Sequence, residues 1–425
     1  MRRTGAAVIA LLVGYGLLEL AVLLVVSPDA TVPANMAAPV APVAPDDDMR
    51  AARERAGLGF RDPMTALHPY LGYVYLPKSE HADPDAIGLA ISDQGFLHAG
   101  SSLKQRGEGR LVIGVTGGSV AGQLGAHYGQ HLLDALAAQP ELAGLQFDMV
   151  WLGMPGYHQP QQAIQLSWLL AQGGEFDAFV NIDGFNEIAV GPVLNVPKGA
   201  HPLFPMNWSM VALDTPDAGV RRAVGAIDHL NRERQDRAAT FADSAWSWSP
   251  TAKWLRDRDD RGLRQRIAEY ERELAAVNTD EVPWFVSGPR DDHLELEALV
   301  LEGVAVWERG SRQLDALCRA NGIHYVHVMQ PNQYDPGSKP LSSTESESAY
   351  DEESRYRPAV ELGYPALRAA GERLVEDGVD FRDLSFVFDG VDETLYTDVC
   401  CHFNAEGNRL MAAEIAAAVG AAVGS

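Results

Sequence analysis

The segment Leu111-Val112-Ile113-Gly114-Val115-Thr116-Gly117-Gly118-Ser119-Val120-Ala121-Gly122 constrains the fold more than any other part of the chain. Its apolar, β-branched run reads as a buried strand. Two glycines then permit a turn too tight for side chains, and a helix-compatible stretch follows. One hydroxyl, that of Ser119, is thereby set at the carboxyl end of a strand and faces a helix N-terminus. Backbone N–H groups there are free to hold a negative oxygen. An α/β enzyme would put a serine nucleophile at such a point, but a tight turn without chemistry leaves the same local pattern.

From Leu111 onward strands alternate with helices. Strands are expected over Leu111–Thr116, Phe147–Leu152, Ala178–Ile182, Tyr325–Met329 and Val379–Leu384. Helices are expected over Gln130–Ala138, Gln161–Ala171 and Pro358–Glu376, with a last one over 404–419 that Asn404 would cap. Short, continuously apolar strands belong to a parallel sheet covered on both faces. The fold class is therefore α/β, a doubly wound α/β/α sandwich with a mainly parallel sheet. After the third strand, residues from about 190 to 310 exceed the minimal alternation and read as a helical insertion. It holds Trp208, Trp246, Trp248, Trp254 and Trp284 beside a charge-dense run over Arg256–Glu273. It is either a structural embellishment or a lid that shapes a substrate site.

The N-terminal part divides further. Met1-Arg2-Arg3 is basic, and residues 5–26 are apolar except for Glu19, long enough to span a bilayer as a helix. The arginines would hold that end in the cytoplasm and put the rest outside, on the periplasmic or extracellular face. Residues 1–26 thus read as a retained transmembrane signal anchor, with a cleaved signal as the alternative. Glu19 is costly at that depth unless protonated or paired. Residues 27–49 are an Ala/Pro-rich tether, ending in three aspartates. Residues 50–108 read as a β-rich lead-in. Within it, a short helix is expected over Arg50–Leu58, an extended segment over His68–Pro77 and a turn over Ile91–Phe96. Residues 109–425 form the main domain. The 34 basic and 58 acidic residues leave a formal net charge of -24, which disfavours nucleic acid as a partner. Membrane contact is left to the N-terminal helix.

Four segments leave the carboxyl side of the expected sheet or precede the last helix. They are Gly117-Gly118-Ser119-Val120-Ala121, Gly153-Met154-Pro155-Gly156-Tyr157, Gly184-Phe185-Asn186-Glu187 and Asp398-Val399-Cys400-Cys401-His402. In a doubly wound sheet those strand ends form one rim, where ligands bind. Over about residues 111–420 this set resembles the SGNH/GDSL hydrolase superfamily. Gly118-Ser119 matches the family's first motif and Gly153 its second. Gly184-Phe185-Asn186-Glu187 matches the third, with Glu where Asp is commoner, and His402 with Asn404, Gly407 and Asn408 matches the last. Gly72-Tyr73 and Asp93-Gln94-Gly95-Phe96 in the lead-in look like a membrane-anchored, extracytoplasmic subset of that family.

The resemblance implies a flavodoxin-like SGNH fold and a Ser-His-Asp triad. Ser119 would be the nucleophile, His402 its general base and Asp398 the acid that orients the imidazole. The oxyanion hole would combine the N–H groups of Ser119 and Gly153 with the side-chain amide of Asn186, each such donor typically worth about 3–4 kcal/mol. It implies no metal and no cofactor. The family's usual spacing is Asp-x-x-His, and here the acid sits one residue further back. A helical turn would still put both side chains on one face. Otherwise a backbone carbonyl, Asp392 or Glu393 would take the acid's place. Gln330, Asn332 and Tyr334 follow the fourth strand on the same rim and are candidates for lining a substrate pocket. Cys400 and Cys401 would form a vicinal disulfide, supply one partner for Cys318, or stay reduced.

His324 and His327 invite a zinc reading, but an offset of three on a strand points side chains to opposite faces. A nucleotide-binding oxidoreductase fits poorly, since the glycines do not follow G-x-G-x-x-G and no Gly-Lys-Ser/Thr occurs. The expected activity is hydrolysis of a short-chain acyl ester, such as an O-acetyl ester, on a small molecule or carbohydrate. The alternatives are an O-acetyltransferase acting on cell-envelope polysaccharide and a non-catalytic binding or assembly protein on the same scaffold.

Overall fold

The computed structural model describes residues 65–75, 90–206, 208, 218–242, 244, 246–275, 284–289 and 295–424. The expected anchor, the tether and the helix over Arg50–Leu58 lie outside the described residues. No helix among the described residues is long and apolar enough to cross a membrane.

The lead-in forms a hairpin where one extended segment was expected. β1 (Thr65–His68) pairs antiparallel with β2 (Gly72–Tyr75), His68 opposite Gly72. Pro69 starts the reversal, and His68 Nδ1 accepts hydrogen bonds from the N–H groups of Tyr70 and Leu71 across the turn. Leu71, Tyr73 and Val74 are buried in the main core, together with Phe96 of the Ile91–Phe96 turn.

Five strands make a parallel sheet: β3 (Arg110–Gly117), β4 (Gln146–Trp151), β5 (Ala178–Asp183), β6 (His324–Met329) and β7 (Phe381–Asp383). Their order is β4-β3-β5-β6-β7, all neighbours parallel. The chain runs from β3 outward to β4, then returns past β3 to β5. That reversal opens a crevice at the carboxyl ends of β3 and β5. Every residue from Leu111 to Gly117 is buried, and so is all of β5. Burial of consecutive strand residues requires cover on both faces, which is why these runs lack polar alternation.

Helices supply that cover. α1 (Ser119–His127) and α2 (Gly129–Ala137) follow β3, and α3 (Gln161–Ala171) follows β4. The short α4 (Phe185–Ala189) starts directly after β5. α5 (Ala218–Ala242) and α6 (Pro250–Ala275) come next, then α7 (Leu296–Ala320) before β6. α8 (Ser343–Ser348) and α9 (Arg357–Glu376) precede β7, and α10 (Ala405–Val423) ends the chain. Asn404 caps α10, its side chain accepting from the N–H groups of Glu406 and Gly407. α7 packs on α3, α4, α9 and β6, whereas α10 packs on α2, β5 and β6. The buried face of α7 recurs at helical spacing through Leu299, Val300, Gly303, Val304, Trp307, Ser311, Leu314 and Cys318.

The described residues divide into two compact units, one holding the sheet and the other lying within Leu213–Glu281. The described part of the second is the pair α5 and α6. Its own small core is Ala223, Ile227, Leu230, Leu263 and Ile267. Ion pairs from Arg234 and Arg264 to Asp260 link its flank. α7 falls partly within the 190–310 stretch expected as an insertion, yet it belongs to the sheet unit. Its apolar stripe is the physical reason, because that stripe is buried against β6 and α9.

Candidate active site

Glycines bring the pieces together at the crevice. β3 ends at Gly117, with φ +141°, and a Cβ there would lie 1.9 Å from the carbonyl oxygen of Ile182 on β5. A Cβ on Gly118 would lie 2.2 Å from Asn186 Nδ2. The Gly-Gly pair therefore does more than permit a turn: it makes room for the amide of Asn186 beside Ser119. Gly153 acts likewise after β4, where a Cβ would lie 2.3 Å from the nitrogen of Gly122. The loop after β4 thus presses on the first turn of α1. Asn186 Nδ2 donates one hydrogen bond to the carbonyl of Tyr157 at 2.8 Å, which fixes the amide and leaves its second N–H hydrogen uncommitted in that contact. Ser119, Gly153 and Asn186 are in this way gathered around one point.

His402 reaches that point from the far end of the chain. Its Nε2 lies 2.7 Å from Ser119 Oγ, and its Nδ1 lies 2.5 Å from Asp398 Oδ2. Asp398 is therefore the group that meets the imidazole, and the fallback acids Asp392 and Glu393 are not used. The contact is not made by a helical turn. Residues 397–402 form a bent loop closed by an antiparallel bridge between Tyr396 and Phe403. The bend is held because the second carboxylate oxygen accepts from the N–H groups of Cys400, Cys401 and His402 at 2.9, 3.1 and 3.3 Å. Burial alone would raise the Asp398 carboxyl. The hydrogen bond and charge of His402, with the N–H groups of Cys400 and His402, outweigh it and hold the carboxyl down to about 2.

The three residues expected to line a pocket on the rim are found elsewhere in role. Gln330, Asn332 and Tyr334 are all buried. Asn332 Nδ2 donates to the Cys400 carbonyl at 3.0 Å, and the Tyr334 hydroxyl donates to the Val399 carbonyl at 3.0 Å. Gln333 Nε2 donates to the Asp398 carbonyl at 2.8 Å. Successive side chains after β6 thus hold successive carbonyls of the loop that carries Asp398 and His402. Gln330 stays with the sheet: its N–H donates to Asp183, and its carbonyl accepts from the Tyr364 hydroxyl.

Other groups support the site, of which Lys339 and Glu345 carry no signal in the sequence. Glu345 on α8 is buried and pairs with the buried Lys339 at 2.8 Å. It also accepts from the N–H groups of Leu395 and Tyr396, just ahead of the Asp398 loop. Burial opposes its ionisation, but Lys339 and these N–H donors hold the carboxyl below its ordinary range. Glu187 uses its long arm to join two segments. One carboxylate oxygen accepts from the Gly184 N–H, and the other accepts from the Gln159 N–H just ahead of α3. Burial first, and the charge of Asp183 second, push the Glu187 carboxyl well up. Tyr73 of β2 donates to the Pro155 carbonyl at 2.6 Å, and the Tyr157 hydroxyl bonds back to the Tyr73 carbonyl. The lead-in hairpin therefore braces the loop after Gly153. Tyr73 lies 82 residues from Pro155, so local spacing does not record this contact.

A second serine, histidine and acid also meet. His327 Nε2 lies 2.7 Å from Asp183, and its Nδ1 lies 2.8 Å from Ser311 Oγ. Trp307 Nε1 donates to the same Asp183 oxygen at 2.6 Å. All of these side chains are buried, so nothing can approach the hydroxyl, and the cluster ties α7 to β5 and β6. His324 is exposed on the opposite side of its strand, as alternation requires.

Among the described residues, Cys400, Cys401 and His402 form a group whose ligand-capable atoms lie within 4.8 Å of one another. Both ring nitrogens of His402 are already engaged by Asp398 and Ser119, so a metal ion there would compete with the serine. Chemically, the site holds a hydroxyl whose proton has an acceptor, an acceptor whose charge has a partner, and amide donors beside the hydroxyl. That is an arrangement for nucleophilic acyl transfer. No family model matches the chain, and no curated protein matches its sequence.

Proposed function

We propose that this chain is a serine esterase of the SGNH type, cleaving a short-chain acyl ester through an acyl-enzyme. One observation carries it: the continuous contact from Ser119 Oγ through His402 to Asp398, at 2.7 and 2.5 Å. In the proposed reaction His402 Nε2 takes the Ser119 proton as Oγ attacks the acyl carbonyl. The N–H groups of Ser119 and Gly153 and the amide of Asn186 receive the oxyanion. The tetrahedral adduct collapses, His402 gives its proton to the departing alkoxide, and the acyl group stays on Ser119. Water, deprotonated by the same imidazole, then releases the acid. Asp398 carries the opposite charge beside the transient imidazolium throughout. The basic and apolar N-terminal segment supports membrane attachment with this site outside the cytoplasm.

A fluorophosphonate probe tests the proposal. Wild type should be labelled at Ser119 and turn over p-nitrophenyl acetate, and Ser119→Ala should do neither. An unlabelled, inactive wild type would sink the esterase reading and leave a binding role on the same scaffold.

A further inference from the structure

Cys400 and Cys401 stand between the acid and the histidine of the site, and the proposed mechanism uses neither thiol. Both are reduced, with their Sγ atoms 3.1 Å apart. Cys401 is buried, whereas Cys400 is partly exposed. We propose that this pair is an oxidation site, which closes into a vicinal disulfide and disables the nucleophile beside it. Its effect on reactivity rests on the esterase reading; its thiol chemistry does not.

Closure proceeds by exchange with the disulfide of an oxidised thiol compound or dithiol protein. The Cys400 thiolate attacks one sulfur of that disulfide. A mixed S–S bond forms, the partner's S–S bond breaks, and one partner thiolate leaves. Cys401 Sγ then attacks Cys400 Sγ, the mixed bond breaks, and the second partner thiolate leaves. Two cysteine protons end on the two partner thiolates, so the pair is oxidised by two electrons and the partner reduced by two. Exposure sets the order of attack. The hydrogen bond that the Cys401 thiol donates to Cys400, and then burial, push that thiol up and away from the thiolate form.

The backbone makes closure consequential. A disulfide is about 2.05 Å long, so the sulfurs must approach by about 1 Å. Adjacent Cα atoms are held about 3.8 Å apart by a trans peptide, below the roughly 4.4 Å at which disulfides ordinarily begin. The peptide between Cys400 and Cys401 must therefore turn. That peptide supplies an N–H group to Asp398 at 3.1 Å, and its carbonyl is held by Asn332 at 3.0 Å. Turning it takes a donor from Asp398 and disturbs the two flanking donors, so the carboxylate that meets His402 is displaced. A disulfide closed under such restraint is also easily reduced, which makes the modification reversible.

The full chain, reduced and then exposed to oxidised glutathione, tests this by intact mass, alkylation and fluorophosphonate labelling. The mass should fall by two hydrogens, leaving Cys318 as the remaining alkylatable thiol after denaturation. Labelling of Ser119 should slow about a hundredfold, the scale expected for a displaced catalytic group, and recover with reductant. Cys400→Ser should keep its reduced mass and labelling rate under the same treatment. A wild type that keeps both thiols, or stops at a glutathione adduct, overturns closure. A closed pair with undiminished labelling overturns the effect on Ser119. Failure of the reduced chain to label at all counts against the esterase reading, while the mass measurement still decides closure.

Discussion

His402 divides its two ring nitrogens between a carboxylate and a hydroxyl, and a single tautomer satisfies both. With the proton on Nδ1 the ring donates to Asp398 and leaves Nε2 to accept from Ser119. An amide in place of the carboxylate would no longer select that tautomer. Asp398→Asn should therefore lower kcat/KM for p-nitrophenyl acetate by about 10⁴-fold while leaving the circular dichroism spectrum unchanged; a loss of only a few-fold would remove Asp398 from its role. The same carboxyl should titrate at about 2 when followed by carbon NMR. Its folded value is depressed, so its contribution to stability is present above the ordinary carboxylate value of about 3.9 and is lost as pH falls toward 2. A midpoint at the ordinary value would mean that the ion pair does not persist in solution. Ser119, Asn186 and His402 were legible as residues, because each follows a recognisable strand or precedes a recognisable helix. Asp398 was legible only as a candidate, since its reach depends on how the loop bends.

Elements carry the supports that hold those residues still. α8 is a single short helix, yet its Glu345 joins the buried Lys339 to the segment entering the Asp398 loop. Removing one partner of a buried ion pair leaves the other charge stranded. Lys339→Met should lower unfolding free energy by about 3–5 kcal/mol, read by urea denaturation; an unchanged midpoint would show that the pair is dispensable. The strand–helix alternation was readable because buried parallel strands are continuously apolar. The hairpin β1–β2 was read as one extended piece, since its turn rests on side-chain acceptance by His68 as well as on its proline. The rim segment from Gln330 to Tyr334 was read as a pocket wall. Polar side chains suit that role equally well, and only the path of the Asp398 loop shows that those of Asn332, Gln333 and Tyr334 are spent on backbone carbonyls.

At the scale of the whole molecule, the described residues form two hydrophobic clusters. Among the described residues the large apolar cluster lies in the sheet unit, and α5 and α6 have a small core of their own. A chain lacking residues 213–281, rejoined by a flexible linker, should keep one cooperative urea transition for the sheet unit. Loss of that transition would show that the sheet needs the helical pair to fold. Local pattern sufficed for the α/β class, the strand positions, the cap at Asn404 and the four rim segments, because periodicity, glycine and capping chemistry act over a few residues. Only the tertiary structure decided that Gly118 makes room for Asn186, that Tyr73 braces the loop after Gly153, and that Asp398 reaches His402 across a bent loop. Those contacts join residues brought together by strand order and loop path, which no local spacing records.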